Sequence, residues 1–292
     1  QTGRVTKGAA QGMLGKVYLY QKKFEKSADV LEDLINNGPH RLLTPAEYPN
    51  MFERDWENNI ESVFEIQYSD VDGGSFECFQ CLEGNYSVYF NGPRGFVDAA
   101  EKFDSGYSFN VPVQDVVDAF EPGDLRYETS ILDMEQYIID NPGSSWSGDG
   151  YEQTGYFNRK YIARLGDLNI GDAALTNPDN YRALRFADVL LMAAEALAEE
   201  GQDNEARIYL NMVRNRAQLP DLSTSGTNLI NDIYKERRVE LVGEGHRFFD
   251  LVRTGKAALA IDGFVSGKHD LFPIPIEEIQ LSGNRWEQNP GY

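Results

Sequence analysis

Ala187 to Ala217 reads ADVLLMAAEALAEEGQDNEARIYLNMVRNRA, and this stretch decides the fold. Ala187, Leu190, Leu191, Ala194 and Leu197 recur at spacings of three and four, which marks one face of a helix. Gly201-Gln202-Asp203 interrupts the pattern as a turn, and Ala206, Leu210, Val213 and Ala217 resume it on a second helix. Two amphipathic helices on so short a link pack antiparallel.

The same arrangement stands near the start of the chain. From Thr6 to Tyr20, Ala9, Met13 and Val17 fall on one line and Ala10, Leu14 and Tyr18 on the next. After the polar turn Gln21-Lys22-Lys23, Phe24, Ala28, Leu31 and Ile35 form one face of a second helix. Gly38 suits a left-handed cap and Pro39 prevents continuation. Superposing the two hairpins sets Ala28 on Ala206 and Ile35 on Val213. Helix, short turn and helix, with small residues at the contact, resembles the tetratricopeptide repeat. Two such units are fewer than a solenoid needs, so other elements must cover their faces. A further helix is expected from about Leu229 to Val242, with Ile230, Ile233, Tyr234, Arg237 and Leu241 on one side.

Between the hairpins the pattern changes. Glu61 to Tyr68 is rich in strand formers, and Gln114 to Phe120 reads as a short helix. Residues 70–110 and 141–155 are dense in Gly, Asn, Ser and rings, and irregular runs of that length in a compact domain are usually functional or disordered. Their ring content argues against disorder. The expected class is mainly α, with tetratricopeptide-like helical hairpins carrying a loop-rich irregular region with short strands. The chain reads as one domain over residues 1–292. Within it stand a hairpin at 1–40, a loop-rich ligand-binding region at 60–170, helical repeats at 180–255 and a tail at 256–292.

Composition narrows the function. The 292 residues are 41% hydrophobic and 25% charged, enough for a real core, and no stretch approaches the roughly 20 apolar residues of a membrane span. The formal charge of −20 repels phosphate backbones and anionic lipid, which excludes nucleic acid as a natural partner and leaves neutral ligands such as sugars. The two cysteines, Cys78 and Cys81, form half a zinc motif with no second half, and the three histidines are scattered, so no metal or redox centre is assigned. Two loops, one with Asp70, Asp72 and Glu77 and one with Asp167, Asn169 and Asp172, hold the oxygen donors a calcium ion would need, or are simply solvated acidic loops. No cofactor is expected.

Several segments resemble the SusD/RagB family of nutrient-binding outer-membrane lipoproteins. They are GRVTKGAA at 3–10 with LGKVYL at 14–19, ENNIESVFEIQY at 57–68, and YRALRFADVLL at 181–191. ERRVEL at 236–241 with EGHRFFDLVR at 244–253, and FPIP at 272–275 with QNPGY at 288–292, complete the set in family order. The resemblance covers the later part of the family's length. It implies a non-catalytic binder of oligo- or polysaccharide at the cell surface that delivers its ligand to a SusC-like TonB-dependent transporter. It also implies an outer-membrane location through a lipid anchor outside this chain.

Proteins grip sugars by laying aromatic faces on pyranose rings while amides and charged groups bond the hydroxyls. The ring-bearing, glycine-rich loops supply Tyr86, Tyr89 and Phe90 with Asn85, Asn91 and Arg94, and then Trp146, Tyr151 and Tyr156. Trp146, between Ser145 and Ser147 in a polar run, is the ring least expected in a core. Phe90, Phe96 and Phe103 can instead pack beneath the loops, and Trp56 and Trp286 are expected to pack. Arg237 with Glu240, and Arg247 with Asp250, sit three apart as helix ion pairs, a structural reading that outweighs a catalytic one. The alternative function is a glycoside hydrolase, which needs two carboxylates across a cleft, and neither G-x-S-x-G nor H-E-x-x-H occurs. A helical scaffold for peptides is the third reading.

Overall fold

The computed structural model describes residues 2–71, 73–78, 82–148, 150, 152–167 and 171–292. They divide into two compact units, Gln1–Glu244 and Gly245–Tyr292, where the sequence placed the start of the tail at 256. The expected class is what the structure has: helical hairpins, a loop-rich middle and short strands only.

In the first unit, helix α1 (Lys7–Tyr20) starts on Thr6, whose side chain accepts the Ala9 N–H at 3.0 Å, and α2 (Phe24–Asn37) follows. The buried face of α1 is Gly8, Ala9, Gly12, Gly15 and Leu19, while Met13, Leu14 and Val17 stay exposed. This corrects the expected stripe. A Cβ at Gly15 would stand 2.4 Å from a Leu31 methyl, and one at Gly12 2.4 Å from a Leu184 methyl, so the helix packs through its glycines. Ser27 Oγ donates to the Gly15 carbonyl at 2.8 Å across the same contact. Gly38 is also not a left-handed cap. Its backbone is extended, and glycine is needed because a Cβ would meet the Leu34 carbonyl oxygen at 2.4 Å.

Strand β1 (Ser62–Ile66) pairs antiparallel with a later strand, Tyr181–Arg185, that runs straight into the helix Phe186–Glu199. The loop-rich middle lies between these two strands. It holds α3 (Tyr86–Asn91), β2 (Phe96–Val97), α4 (Gln114–Val117), α5 (Arg126–Ser130), β3 (Ile131–Asp133), α6 (Met134–Asp140), β4 (Ser145–Trp146) and β5 (Tyr156–Asn158). β2 pairs with β4 and β3 with β5, both antiparallel.

The strand Tyr181–Arg185 is β6 and the helix after it α7; α8 (Asp203–Arg216) and α9 (Thr227–Glu240) follow. Every residue of α7 from Phe186 to Ala198 is buried, not one stripe alone. A helix apolar on all sides belongs in the middle of a core. Leu31 and Leu34 of α2, Leu210 and Val213 of α8, and Leu229 and Ile233 of α9 share that core with it. The two hairpins, far apart in sequence, are thus neighbours through α2 and α7. α9 closes the other side, which answers the shortage of repeats. Two smaller cores serve the middle region, one around Tyr48, Met51, Phe52 and Tyr161, the other around Phe96, Phe103, Leu132 and Phe157. Trp56 packs against the first of these, as expected.

Charged side chains lie at the joint between these parts. Arg185, at the end of β6, reaches Glu61 and Glu240 at 2.8 Å and Glu244 at 2.7 Å. Glu240 also meets Arg216 at 2.5 Å and Arg126 at 3.1 Å. Arg126 holds Glu236 at 2.5 Å and Asp124 at 2.7 Å, and Lys160 holds Glu244 at 2.6 Å. The expected Arg237–Glu240 pair is not made. Arg237 turns to Asp188 on α7 at 2.7 Å, and Glu240 is committed to three other arginines, because tertiary partners stand closer than the next helical turn.

The second unit carries α10 (Arg247–Arg253), α11 (Ala257–Ala260) and α12 (Ile276–Leu281). Phe248 meets Phe249 at 5.6 Å and Phe272 at 5.9 Å, while Asp250 pairs with Arg253 at 2.7 Å. Trp286, expected to pack, is 54% exposed.

Burial works against ionisation of Glu240, but the charges of Arg216, Arg185 and Arg126 outweigh it and hold the carboxyl well below its ordinary value of 4.5. A depressed acid contributes stability that is present above its unfolded pKa and lost as pH falls beneath it. Glu240→Ala would take one carboxylate partner from each of three buried guanidinium groups and is expected to cost about 3–5 kcal/mol in denaturant unfolding at pH 7. The deficit relative to the parent should shrink below about pH 4.5. A variant as stable as the parent at neutral pH would contradict this account.

Candidate functional site

The predicted site residues fall mainly on α3 and the loops beside it. Asn85 caps this helix and is 3% exposed. Its side-chain oxygen accepts the Ser87 N–H at 3.2 Å and hydroxyl at 2.5 Å, and its amide donates to the Asp179 carbonyl at 3.0 Å. Asn85, buried, therefore anchors the helix. From that anchor Tyr86, Tyr89 and Phe90 project at spacings of three and four, so they share a side of α3. The Tyr86 and Phe90 rings are 5.5 Å apart, and Tyr86 is half exposed.

A second segment is laid alongside the first. The N–H groups of Tyr107, Ser108 and Phe109 donate to the carbonyls of Tyr89, Gly92 and Phe90 at 3.2, 2.7 and 2.9 Å. So close an approach requires glycine at 106: a Cβ there would stand 2.2 Å from the Tyr89 carbonyl oxygen and 2.6 Å from the Gly92 Cα. The result is a continuous run of rings. Tyr89 meets Tyr107 at 5.2 Å, Tyr107 meets Phe90 at 5.4 Å, and Phe90 meets Phe109 at 5.8 Å.

Tyr107 and Phe109 form one wall of an open cleft of about 700 Å³, completed by Arg94, Asn110, Gln153 and Thr154. Arg94 is exposed, and its backbone N–H donates to Ser108 Oγ at 2.7 Å. Burial chiefly raises the Tyr89 phenol above its ordinary value, which keeps it a neutral hydrogen-bonding group. Aromatic faces flanked by a guanidinium and two amides suit an uncharged, hydroxyl-rich ligand.

Of the residues singled out in the sequence, Tyr86, Tyr89 and Phe90 stand on α3 and Arg94 lines the cleft, which also takes in Tyr107 and Phe109, not singled out there. These two rings stand in Tyr107-Ser108-Phe109-Asn110, between Gly106 and Pro112, with the same mixture of ring and polar neighbours. Asn91 ends α3, half-buried, and is not among the cleft residues. Tyr156, on β5, directs its hydroxyl to Gln114 at 3.2 Å, apart from the ring run. Trp146 is where the structure departs most from expectation. It is half-buried in the small core beside Phe157, ring centroids 5.6 Å apart, because β4 pairs with β2 and sets Trp146 opposite Phe96. Phe96 and Phe103 are buried in that core, as the alternative reading had it, whereas Phe90, half-buried, joins the ring run beside α3. Tyr151, Cys81, Asp72 and Asn169 lie outside the described residues. Among the described residues no group of three His, Cys, Asp or Glu could hold a metal ion, and one member of each candidate calcium set lies outside them.

Residues 60–270 match the family model described as SusD family. The chain belongs to the SusD family. It is 29% identical to SusD-like protein P2 of Formosa agariphila, over 98% of this chain and 60% of that protein. Among solved structures it is similar to a laminarin binding SusD-like protein (TM-score 0.90, 37% identity, all of this chain and 64% of that one). It is also similar to surface glycan-binding protein A from Bacteroides thetaiotaomicron in complex with laminarihexaose (TM-score 0.85, 26% identity, 99% of this chain and 65% of that one). The chain thus spans about half to three-fifths of the length of the curated relatives it matches. No helix among the described residues is long and apolar enough to cross a membrane.

Behind the cap of α3 lies a buried carboxylate. Asp179 is 2% exposed, neither side-chain oxygen has a hydrogen-bond partner, and burial chiefly pushes its pKa up to about 7. An acid raised above its unfolded value of 3.8 destabilises the fold wherever it is ionised, fully above about pH 7 and not at all below about pH 3.8. Asp179→Asn should therefore raise the midpoint of thermal unfolding at pH 8, with the gain fading as the pH is lowered to 4. A gain independent of pH, or none, would show that Asp179 is not held as an unpartnered acid.

Proposed function

We propose that this protein binds a neutral oligo- or polysaccharide without turning it over. The observation that carries this reading is the ring run Tyr89–Tyr107–Phe90–Phe109 opening on a cleft edged by Arg94, Asn110 and Gln153. A rigid platform of rings buries sugar surface at low entropic cost, and its flanking donors reach the hydroxyls. The formal charge of −20 disfavours anionic ligands and leaves a neutral glycan unopposed. Laminarin, or a laminari-oligosaccharide, is the first candidate, because proteins described by those ligands are similar to this chain along its whole length.

Hydrolysis fits the cleft less well. A glycoside hydrolase sets two carboxyl groups about 5 to 10 Å apart across the scissile bond. Among the described residues Glu152 is the one carboxylate of the cleft lining. Membership of the family supports a place at the outer-membrane surface, a lipid anchor, and hand-over of the glycan to a SusC-like TonB-dependent transporter. Weak binding, roughly −4 to −8 kcal/mol, suits a protein that must release what it captures.

Titration calorimetry with laminarihexaose tests the reading. Tyr107→Ala is expected to weaken binding about tenfold, or 1.4 kcal/mol, without altering the unfolding midpoint much. Trp146→Ala should do the reverse: it should lower stability by about 2 kcal/mol through lost core contacts and leave affinity unchanged. Release of shorter sugars during prolonged incubation, followed by chromatography, would replace binding with catalysis.

A further inference from the structure

We infer that Lys102, Arg159 and Arg164, gathered around the ring of Phe103, form a binding site for a tetrahedral oxyanion, a sulfate or phosphate group. None of the three lines the ring-bearing cleft, so the site is independent of what that cleft binds. The segment after β2 is drawn into a tight turn by Asp98, whose carboxylate accepts the N–H groups of Ala100, Lys102 and Phe103 at 3.0, 2.9 and 2.9 Å. Two hydrogen bonds fasten this turn to the segment after β5. The Asp104 N–H donates to the Ala163 carbonyl at 2.8 Å, and the Leu165 N–H to the Lys102 carbonyl at 3.2 Å. Phe103 enters the small core, 1% exposed, and three cations close around it. The Lys102 ammonium stands 5.3 Å from the ring centroid, the Arg159 guanidinium 5.8 Å and the Arg164 guanidinium 5.9 Å. A ring has two faces, so at least two of the three cations share one.

One of these cations is neutralised by contact and two are not. Arg164, buried, forks onto Glu53 at 3.0 and 3.1 Å and gives its remaining nitrogen to the Ile162 carbonyl at 2.7 Å. Arg159, half-buried, donates from Nη1 to the Glu128 carbonyl, and its Nε and Nη2 have no acceptor among the described residues. Lys102 is exposed, and its ammonium has none there either. Two more carboxylates face the cluster without meeting it. The Asp98 oxygens are taken by backbone N–H groups and by the Tyr137 and Ser144 hydroxyls, and Glu128 is exposed to water. Burial lowers the pKa of Lys102, and the charges of Arg159 and Arg164 lower it further, while Arg159 is depressed by burial and then by Arg164. Like charges held together in this way repel until an anion comes among them. A guanidinium meets an oxyanion through two parallel hydrogen bonds and an ammonium meets it as a point charge, and a tetrahedral group has oxygens enough for both. The formal charge of −20 does not forbid this, since at physiological ionic strength fields from beyond about 8 Å are largely screened.

The test is calorimetric titration of the full chain at low ionic strength with inorganic sulfate and with glucose 6-sulfate. At least one of them should bind with a Kd of about 1 mM or tighter. Lys102→Gln and Arg159→Gln should each weaken that binding about fivefold or more. Lys7→Gln removes an exposed cation elsewhere and should leave it unchanged. Lys102 is exposed, so its variant should fold as the parent does and decides the matter even where Arg159→Gln is unstable. Tighter binding of glucose 6-sulfate than of sulfate supports the site and makes its ligand a substituent on a sugar. Equal binding of the two supports the site with the free anion as ligand. Binding of neither, or binding that Lys102→Gln does not weaken, or an equal loss in Lys7→Gln, overturns the inference.

Discussion

The buried contact between Arg185 and Glu240 governs how the molecule is assembled. Both side chains are fully out of water, and each is shared: Arg185 with Glu61 and Glu244, Glu240 with Arg216 and Arg126. An isolated pair in such a place would barely offset the cost of stripping water from two ions. Here every charge has several partners, and the fields of the arginines keep Glu240 ionised in spite of its burial. The groups come from the segment before β1, from α5, the end of β6, α8, α9 and the turn after α9. An element that shifted would leave a buried charge unopposed, so the network fixes a unique arrangement where apolar packing alone would tolerate several.

That joint explains how a mobile-looking stretch of sequence becomes a rigid platform. Lys160 ties the segment after β5 to Glu244 and to the Glu240 carbonyl, and Arg126 ties α5 to α9. The loop-rich middle is thus gripped on the side facing the helices. Its outer side is organised by close backbone contact, Gly106 against Gly92, which brings two ring-bearing segments together. Rings that would be floppy on a free loop become parts of a fixed surface, and a fixed surface is what binding of a flexible sugar chain requires.

Much of the architecture could be read from periodicity. The spacings in α2, α7, α8 and α9 report a local geometry that neighbouring structure did not override, and the link lengths require antiparallel hairpins. Periodicity failed at α1. There the large apolar residues, which carry the signal, face outward, and the glycines, which carry none, make the contact. It was equally silent on ion pairing. Arg237 and Glu240 have the spacing of a helix pair, but Asp188 and Arg185, far away in the chain, come closer.

By itself the sequence determined the helical hairpins, the position of the loop-rich insertion between them and the set of rings that insertion carries. Each of these depends on residues near one another along the chain or on totals over the whole of it. Only the tertiary structure decided where those rings sit. Trp146 went into a core because β4 pairs with β2, and Tyr107 and Phe109 came to the surface because hydrogen bonds lay their segment against α3. Those choices are made by contacts between segments distant in sequence, and local composition holds no record of them.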